Sequence, residues 1–155
     1  MPNVLVIGYG NPLRGDDGVG CLVAEEVAKR MCEPDSRVQV VACHQLNPEM
    51  AEAVADTQAV IFVDASVKVP PGQVSVSTVI PDRFSPAFTS HGMEPPALLA
   101  TAAELFGQAP PAKAVLIGAA SFDSIMSLTP EVQAGVRIAL RVIEREIDSY
   151  LHSQA

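Results

Sequence analysis

The chain opens on an unbroken apolar run, Val4-Leu5-Val6-Ile7, which ends at Gly8-Tyr9-Gly10-Asn11-Pro12. Apolar residues without alternation predict a strand buried on both faces, and the glycines and proline predict the loop after it. The period then changes. Val19, Val23, Val27 and Met31 recur at every fourth residue with Leu22 beside them, which predicts a helix with one apolar face. Glu25–Lys29 and Glu26–Arg30 are favourable pairs one turn apart on its other side. A turn at Pro34-Asp35-Ser36 leads to a second predicted strand, Val38 to Ala42. Asn47-Pro48-Glu49 has the form of a helix start: a capping Asn, Pro at the first helical position and an acid in the first turn. A short helix to about Ala55 follows.

Ala59 to Val63 predicts a third strand ending at Asp64, and Pro70-Pro71-Gly72 a turn. Gln73 to Val79 alternates polar and apolar, the pattern of a half-exposed edge strand. A loop holding Pro81, Pro86, Ser90, His91 and Gly92 precedes a helix from about Pro95 to Phe106. Ala114 to Gly118 predicts another buried strand. Thr129-Pro130-Glu131 starts the last helix, with Val132, Val136, Leu140, Ile143, Ile147 and Leu151 along one face. Strands alternating with helices imply right-handed crossovers. The expected fold is a single three-layer α/β domain over residues 1–155, without internal repeat or linker. Its sheet is mostly parallel and twisted, of about five strands, with helices on both faces and one antiparallel edge strand. Ligands of such sheets bind beyond the carboxyl ends of the strands. The residues after Ile7, Ala42, Val63 and Gly118 are therefore the places to look.

Composition narrows the partners. A chain of 155 residues serves one core, and with 48% apolar and 18% charged residues it can bury one. Ten basic against eighteen acidic residues give a net charge of −8. That balance argues against nucleic acid and anionic membrane, both of which reward clustered Lys and Arg. It leaves open a basic peptide, a neutral protein surface or a metal cation. Cys21, Cys32 and Cys43 are odd in number and form no C-x-x-C pair, which fits a reducing cytosol rather than a disulfide scaffold or a cysteine-rich zinc site. The segment from Met1 to Gly8 lacks the basic start of a signal peptide, and no apolar stretch reaches the roughly 20 residues of a membrane span. A cytoplasmic location is the expectation. The methionines are scattered and read as core filler.

Chemistry concentrates in the loop after the first strand, Gly8 to Gly18. Leu13 stands where a dinucleotide fingerprint needs its third glycine. Gly10 and Gly15 have the spacing of a phosphate-binding loop, but Asp16-Asp17 replace its Lys and Ser. Two carboxylates would repel a phosphate at a helix N-terminus, so the loop suits a cation or a carboxylate used in chemistry. Asp is also a favoured cap for the helix that begins near Gly18. One cap explains one Asp and not two, which makes Asp17 the functional candidate and Asp16 the capping one.

Three further positions carry candidate chemistry. Asp64 ends an apolar strand at the carboxyl edge of the sheet, where a ligand group or a hydrogen-bonded loop cap would both sit. His91, in Thr89-Ser90-His91-Gly92-Met93, is a metal-ligand or general-base type of residue in a loop that can fold over the two acids. Two carboxylates and an imidazole would hold a divalent metal on one side only and leave other positions open. Cys43 and His44 follow the second strand. Adjacent strand-end residues point to opposite faces, so they are poorly placed as a catalytic pair. Ser121 and Ser124 lack the G-x-S-x-G context of a serine hydrolase.

Taken together, Gly8-Tyr9-Gly10-Asn11-Pro12-Leu13-Arg14-Gly15-Asp16-Asp17-Gly18-Val19-Gly20, Val63-Asp64-Ala65, Ser90-His91 and Leu128-Thr129-Pro130 resemble the hydrogenase maturation endopeptidases over nearly the whole chain. His44 to Ala51 looks like the subgroup serving bidirectional, NAD-linked hydrogenases. The resemblance implies an aspartyl-type endopeptidase. It would remove the C-terminal extension of a [NiFe]-hydrogenase large-subunit precursor after nickel insertion, with the bound nickel as recognition mark. It maps the metal contacts and catalytic positions to Asp17, Asp64 and His91; Asp16 and His44 are secondary candidates on this chain's own residues. Nickel would be presented by the precursor, with zinc or cadmium able to substitute, and the protease would be a monomer. Many relatives carry a Gly-Gly-Thr-type loop after the second strand. Here Ala42-Cys43-His44-Gln45 is bulkier and offers an added ligand or substrate contact at His44. The rival readings are a non-catalytic nickel-sensing chaperone or binding module for the large subunit, and a nucleotide-binding domain, which Asp16-Asp17 oppose.

Overall fold

The computed structural model describes residues 3–31, 33, 36–86, 92–123 and 127–153. The apolar runs form β1 (Val4–Tyr9), β2 (Val38–Cys43), β3 (Ala59–Ser66), β4 (Val74–Val79) and β5 (Ala112–Gly118). They lie in the order β2-β1-β3-β5-β4. β1 runs parallel to β2 and β3, and β3 parallel to β5. β4 is the antiparallel edge strand expected from its alternation. The α-helices among the described residues are α1 (Val19–Met31), α2 (Ala51–Ala55), α3 (Pro95–Phe106) and α4 (Pro130–Ser153). The expected fold class is the observed one. None of these helices is long and apolar enough to cross a membrane.

Strand alternation divides the core in two. Val4, Val6, Ile61, Val63, Val115 and Ile117 pack with Val19, Val23 and Val27 of α1 and with Val136 and Ile143 of α4. Leu5, Ile7, Val60, Phe62 and Ala114 pack on the other side with Val54 of α2 and Leu98 and Leu99 of α3. This parity places the site. Tyr9 continues the Leu5–Ile7 row, and Asp64 continues the Val60–Phe62 row. Both side chains therefore point to the α2–α3 side. The chain leaves β1 for β2 on one side and β3 lies on the other, so the β1 and β3 loops flank the point where strand order reverses.

Some details differ from the sequence pattern. β3 runs on through Ser66, because Asp64, Ala65 and Ser66 still pair with Leu116, Ile117 and Gly118 of β5. Asp64 thus lies within the strand rather than at its end. The second helix begins as a 3₁₀ turn, Pro48–Met50, before α2. Asn47 has the extended backbone of a cap but makes no side-chain cap bond. Its Oδ1 is buried and finds no hydrogen-bond partner among the described residues. The Pro34-Asp35 turn, Cys32, Ser90, His91 and Ser124 lie outside the described residues.

The first turn of α1 touches the sheet directly. A Cβ on Gly20 would sit 2.5 Å from both the Tyr9 and the Val63 carbonyl oxygens. Those neighbours are backbone and cannot rotate away. Gly20→Ala is expected to cost roughly 1–3 kcal/mol by overpacking, read as a lower urea midpoint; an unchanged midpoint would contradict this packing.

Candidate active site

The loop after β1 is shaped by backbone contacts before any chemistry enters. Asn11 caps the 3₁₀ segment Pro12–Gly18 by accepting from the Leu13 N–H at 3.0 Å. The segment kinks at Arg14 and Gly15, where Gly15 takes a φ of 57°. The Gly10 N–H reaches the Cys43 and His44 carbonyls, tying the loop to the end of β2. Gly10 itself has a φ of 140°, and a Cβ there would lie 1.9 Å from the Asp17 carbonyl oxygen. The loop folds back on Asp17 only because residue 10 has no side chain.

The two acids of the pair have different fates. Asp16 is 0% exposed. Its Oδ2 accepts from the Ala120 and Ser121 N–H groups at 2.8 and 2.9 Å, and its Oδ1 from the Thr129 N–H at 2.8 Å. The Thr129 hydroxyl donates to the same carboxylate. Burial alone would raise the Asp16 pKa, but these bonds from Thr129, Ser121 and Ala120 outweigh it and hold the carboxyl below its usual range. The expectation that Asp16 caps α1 is corrected: its bonds cross to the β5–α4 connection, because its side chain turns inward. With both oxygens engaged and no exposure, it is a structural clasp in this arrangement. Asp17 does not cap α1 either. Its Oδ2 accepts from the Asn11 N–H at 2.8 Å, and the half-buried side chain lines an open groove.

That groove, about 1170 Å³, runs along the carboxyl edge of the sheet on the α2–α3 side. Asp17, Asp64, Tyr9, His44 and Glu94 line it, so Asp17 and Asp64 share one cavity as the sequence suggested. A smaller and more apolar cavity of about 560 Å³ lies near Ala59, Pro110 and Tyr150, and none of the candidate residues lines it. Asp64 Oδ1 accepts from the Ala65 N–H at 2.8 Å. Burial is the main influence on the Asp64 carboxyl. With the Asp17 and Glu94 charges it overrides the hydrogen bonds from Ala65 and the Tyr9 phenol, and pushes the pKa from 3.8 up to about 7. Tyr9, 9% exposed, is itself held well above its usual pKa by burial and by Asp64 and Glu94. It therefore stays a hydrogen-bond donor to Asp64.

Tyr9 and Glu94 were not candidates on sequence grounds. Period-two counting from Leu5 and Ile7 puts Tyr9 on the face of Asp64, and that signal was available. Glu94 precedes α3, where an acid passes as an ordinary helix start. His44 is exposed in the groove, whereas Cys43 packs against the α2–α3 core. Burial pushes both thiols up, that of Cys21 to about 11, which makes them weak nucleophiles. His91 falls outside the described residues, and among those described no three His, Cys, Asp or Glu side chains gather as a metal site.

Two pH dependences of opposite sign follow. Asp64 is ionised in the unfolded chain above about pH 4 but in the folded chain only above about 7, so stability falls as pH rises through that window. Asp64→Asn is expected to be more stable than wild type by roughly 2–4 kcal/mol at pH 8, with the gap closing below pH 4. Denaturant titrations at the two pH values check this; a constant gap contradicts it. Asp16 acts the other way: its contribution is present above its ordinary range and lost in acid. Asp16→Ala removes a buried acceptor of several N–H groups and is expected to cost about 3 kcal/mol or more at pH 7, measured in the same titration.

Comparison with known proteins places the fold. No family model and no curated protein sequence matches the chain. Solved structures do. The hydrogenase maturating endopeptidase HybD from E. coli superposes with a TM-score of 0.76 at 25% identity, covering 95% of this chain and 93% of that one. The [NiFe] hydrogenase maturation protease HycI from Thermococcus kodakarensis gives 0.71 at 21%, covering 92% and 90%. A hydrogenase 2 maturation peptidase from a Thaumarchaeota archaeon gives 0.69 at 24%, covering 94% and 98%. The chain has the fold of the hydrogenase maturation endopeptidases, the family that its glycine–aspartate loop resembles.

Proposed function

We propose that the protein is an endopeptidase that removes the C-terminal extension of a [NiFe]-hydrogenase large-subunit precursor once nickel has been inserted. The observation that carries this is the pairing of Asp17 with Asp64 in one groove, where Asp64 is ionised only at a cost. A cation brought beside them offsets both burial and mutual repulsion, and displaces the Asp64 proton. Precursor without metal offers no such compensation. With His91 as the third ligand that the resemblance implies, the two carboxylates would make an incomplete shell, suited to a metal whose remaining ligands belong to the substrate. Recognition of nickel then follows from electrostatics rather than from a permanent cage.

The chain's own part in hydrolysis follows from the same groups. Asp17, fixed by the Asn11 N–H, and Asp64, fixed by the Ala65 N–H and the Tyr9 phenol, orient the metal-bearing end of the precursor. The substrate's nickel supplies Lewis acidity for the scissile carbonyl or the attacking water. The raised thiols of Cys21 and Cys43 and the lack of a serine-hydrolase motif leave no protein nucleophile in view among the described residues, so water is the attacking group. Similarity of His44 to Ala51 to the bidirectional, NAD-linked subgroup supports a substrate of that class, and His44 in the groove would touch it.

The test uses purified nickel-loaded and nickel-free precursor. Asp17→Ala and His91→Ala are expected to fold normally and to lose processing by at least about a hundredfold. Wild-type rates from both variants would refute the triad, and equal cleavage of the nickel-free precursor would refute metal recognition.

A further inference from the structure

Edge strands usually carry a device against pairing with another chain, such as Lys, Pro or a bulge. β4 reads Val-Ser-Val-Ser-Thr-Val and carries none within the strand; the bulge of Gly72 and Gln73 opposite Gly118 lies just before it. Among the described residues it pairs only with β5. The Gly118 N–H donates to the Gln73 carbonyl, which sets the phase of the ladder. Residues 75, 77 and 79 then exchange bonds with β5, and the N–H and C=O groups of Val74, Val76 and Thr78 point away from the sheet. Val76 is 41% exposed, and beyond the strand Ile80 and Phe84 are 70% and 86% exposed. β4 is also continuous with the carboxylate groove, which Ser77, Thr78, Val79 and Ile80 line together with Asp17 and Asp64. The other edge strand, β2, contributes none of its own residues to the groove.

We infer that β4 is a docking strand for the precursor's C-terminal extension, which pairs along its free edge as an added strand. This rests on the endopeptidase reading above and extends it to how the tail is held. A folded precursor has its own strands already paired, and the tail to be removed is the segment free to lie extended. Backbone pairing accepts many tail sequences, while the exposed Val76 and Ile80 supply apolar contacts. Register gives the reach. Asp64 lies opposite Leu116, and Leu116 opposite Ser75. An added strand would be three steps of about 4.8 Å, or about 14 Å, from Asp64. At about 3.3 Å per residue, roughly four residues bridge that gap, so pairing starts about four residues beyond the cut.

The test compares wild type, Val76→Pro and Val76→Ala on nickel-loaded precursor. Proline at 76 deletes an outward N–H and leaves the bonds to β5 intact, which an edge strand tolerates; alanine deletes only apolar surface. V76P is expected to raise KM about three- to tenfold, the equivalent of one lost hydrogen bond, with kcat within about twofold and V76A much closer to wild type. A precursor trimmed to three residues beyond the cut is expected to show the raised KM already, with no further effect of V76P. Equal KM for V76P and V76A overturns the docking strand while leaving the peptidase intact. If wild type cuts nothing, the peptidase reading fails, and amide exchange still decides docking: slower exchange at 74, 76 and 78 on adding precursor supports it, and unchanged exchange overturns it.

Discussion

The site depends on one buried carboxylate. Asp16 accepts N–H groups from Ala120, Ser121 and Thr129, residues more than a hundred positions away. Those bonds lock the loop after β1 to the connection between β5 and α4. A charge in so dry a place would be costly if any partner were missing. Fully satisfied, it fixes the backbone on which Asp17 sits. The two adjacent acids thus divide the work, with one turned inward as a clasp and the other turned outward into the groove. Gly10, with no Cβ to strike the Asp17 carbonyl, and Gly20, against the ends of β1 and β3, let the clasp close.

Opposite consequences follow for the two acids near the sheet. Asp16 is surrounded by donors and prefers to be charged, whereas Asp64 is buried near other acids and resists it. A carboxyl with a pKa of about 7 beside Asp17 stores an electrostatic conflict that a cation relieves. On the proposed function, the same conflict would let a small domain favour a precursor that carries a cation over one that does not. Tyr9 and the Ala65 N–H fix the orientation of Asp64 without removing the conflict.

Much of this was legible in the sequence, and the reasons differ by residue. Strands and helices followed from apolar periods, since β1, β3 and α4 have patterns too regular for another structure. The edge position of β4 followed from its alternation. The aspartate pair was legible as chemistry because carboxylates do not belong in a phosphate loop. Which Asp does what was only half legible. A cap for α1 is a local explanation, whereas the partners of Asp16 come from the far end of the chain, and no local pattern announces such a bond. The third strand looked to end at Asp64 because apolar character stops at Val63, although pairing with β5 carries it to Ser66. Tyr9 and Glu94 were hidden for a related reason: their effect on Asp64 is electrostatic and arises only when β1, β3 and α3 are assembled.

Peptidase and binding module differ in one observable, the covalent length of the partner. The decisive measurement is the intact mass of a nickel-loaded large-subunit precursor before and after incubation with this protein. Loss of a C-terminal fragment, at less than stoichiometric protein, is the predicted result. A stable complex in which the precursor keeps its full mass would contradict it and leave a nickel-sensing binder instead.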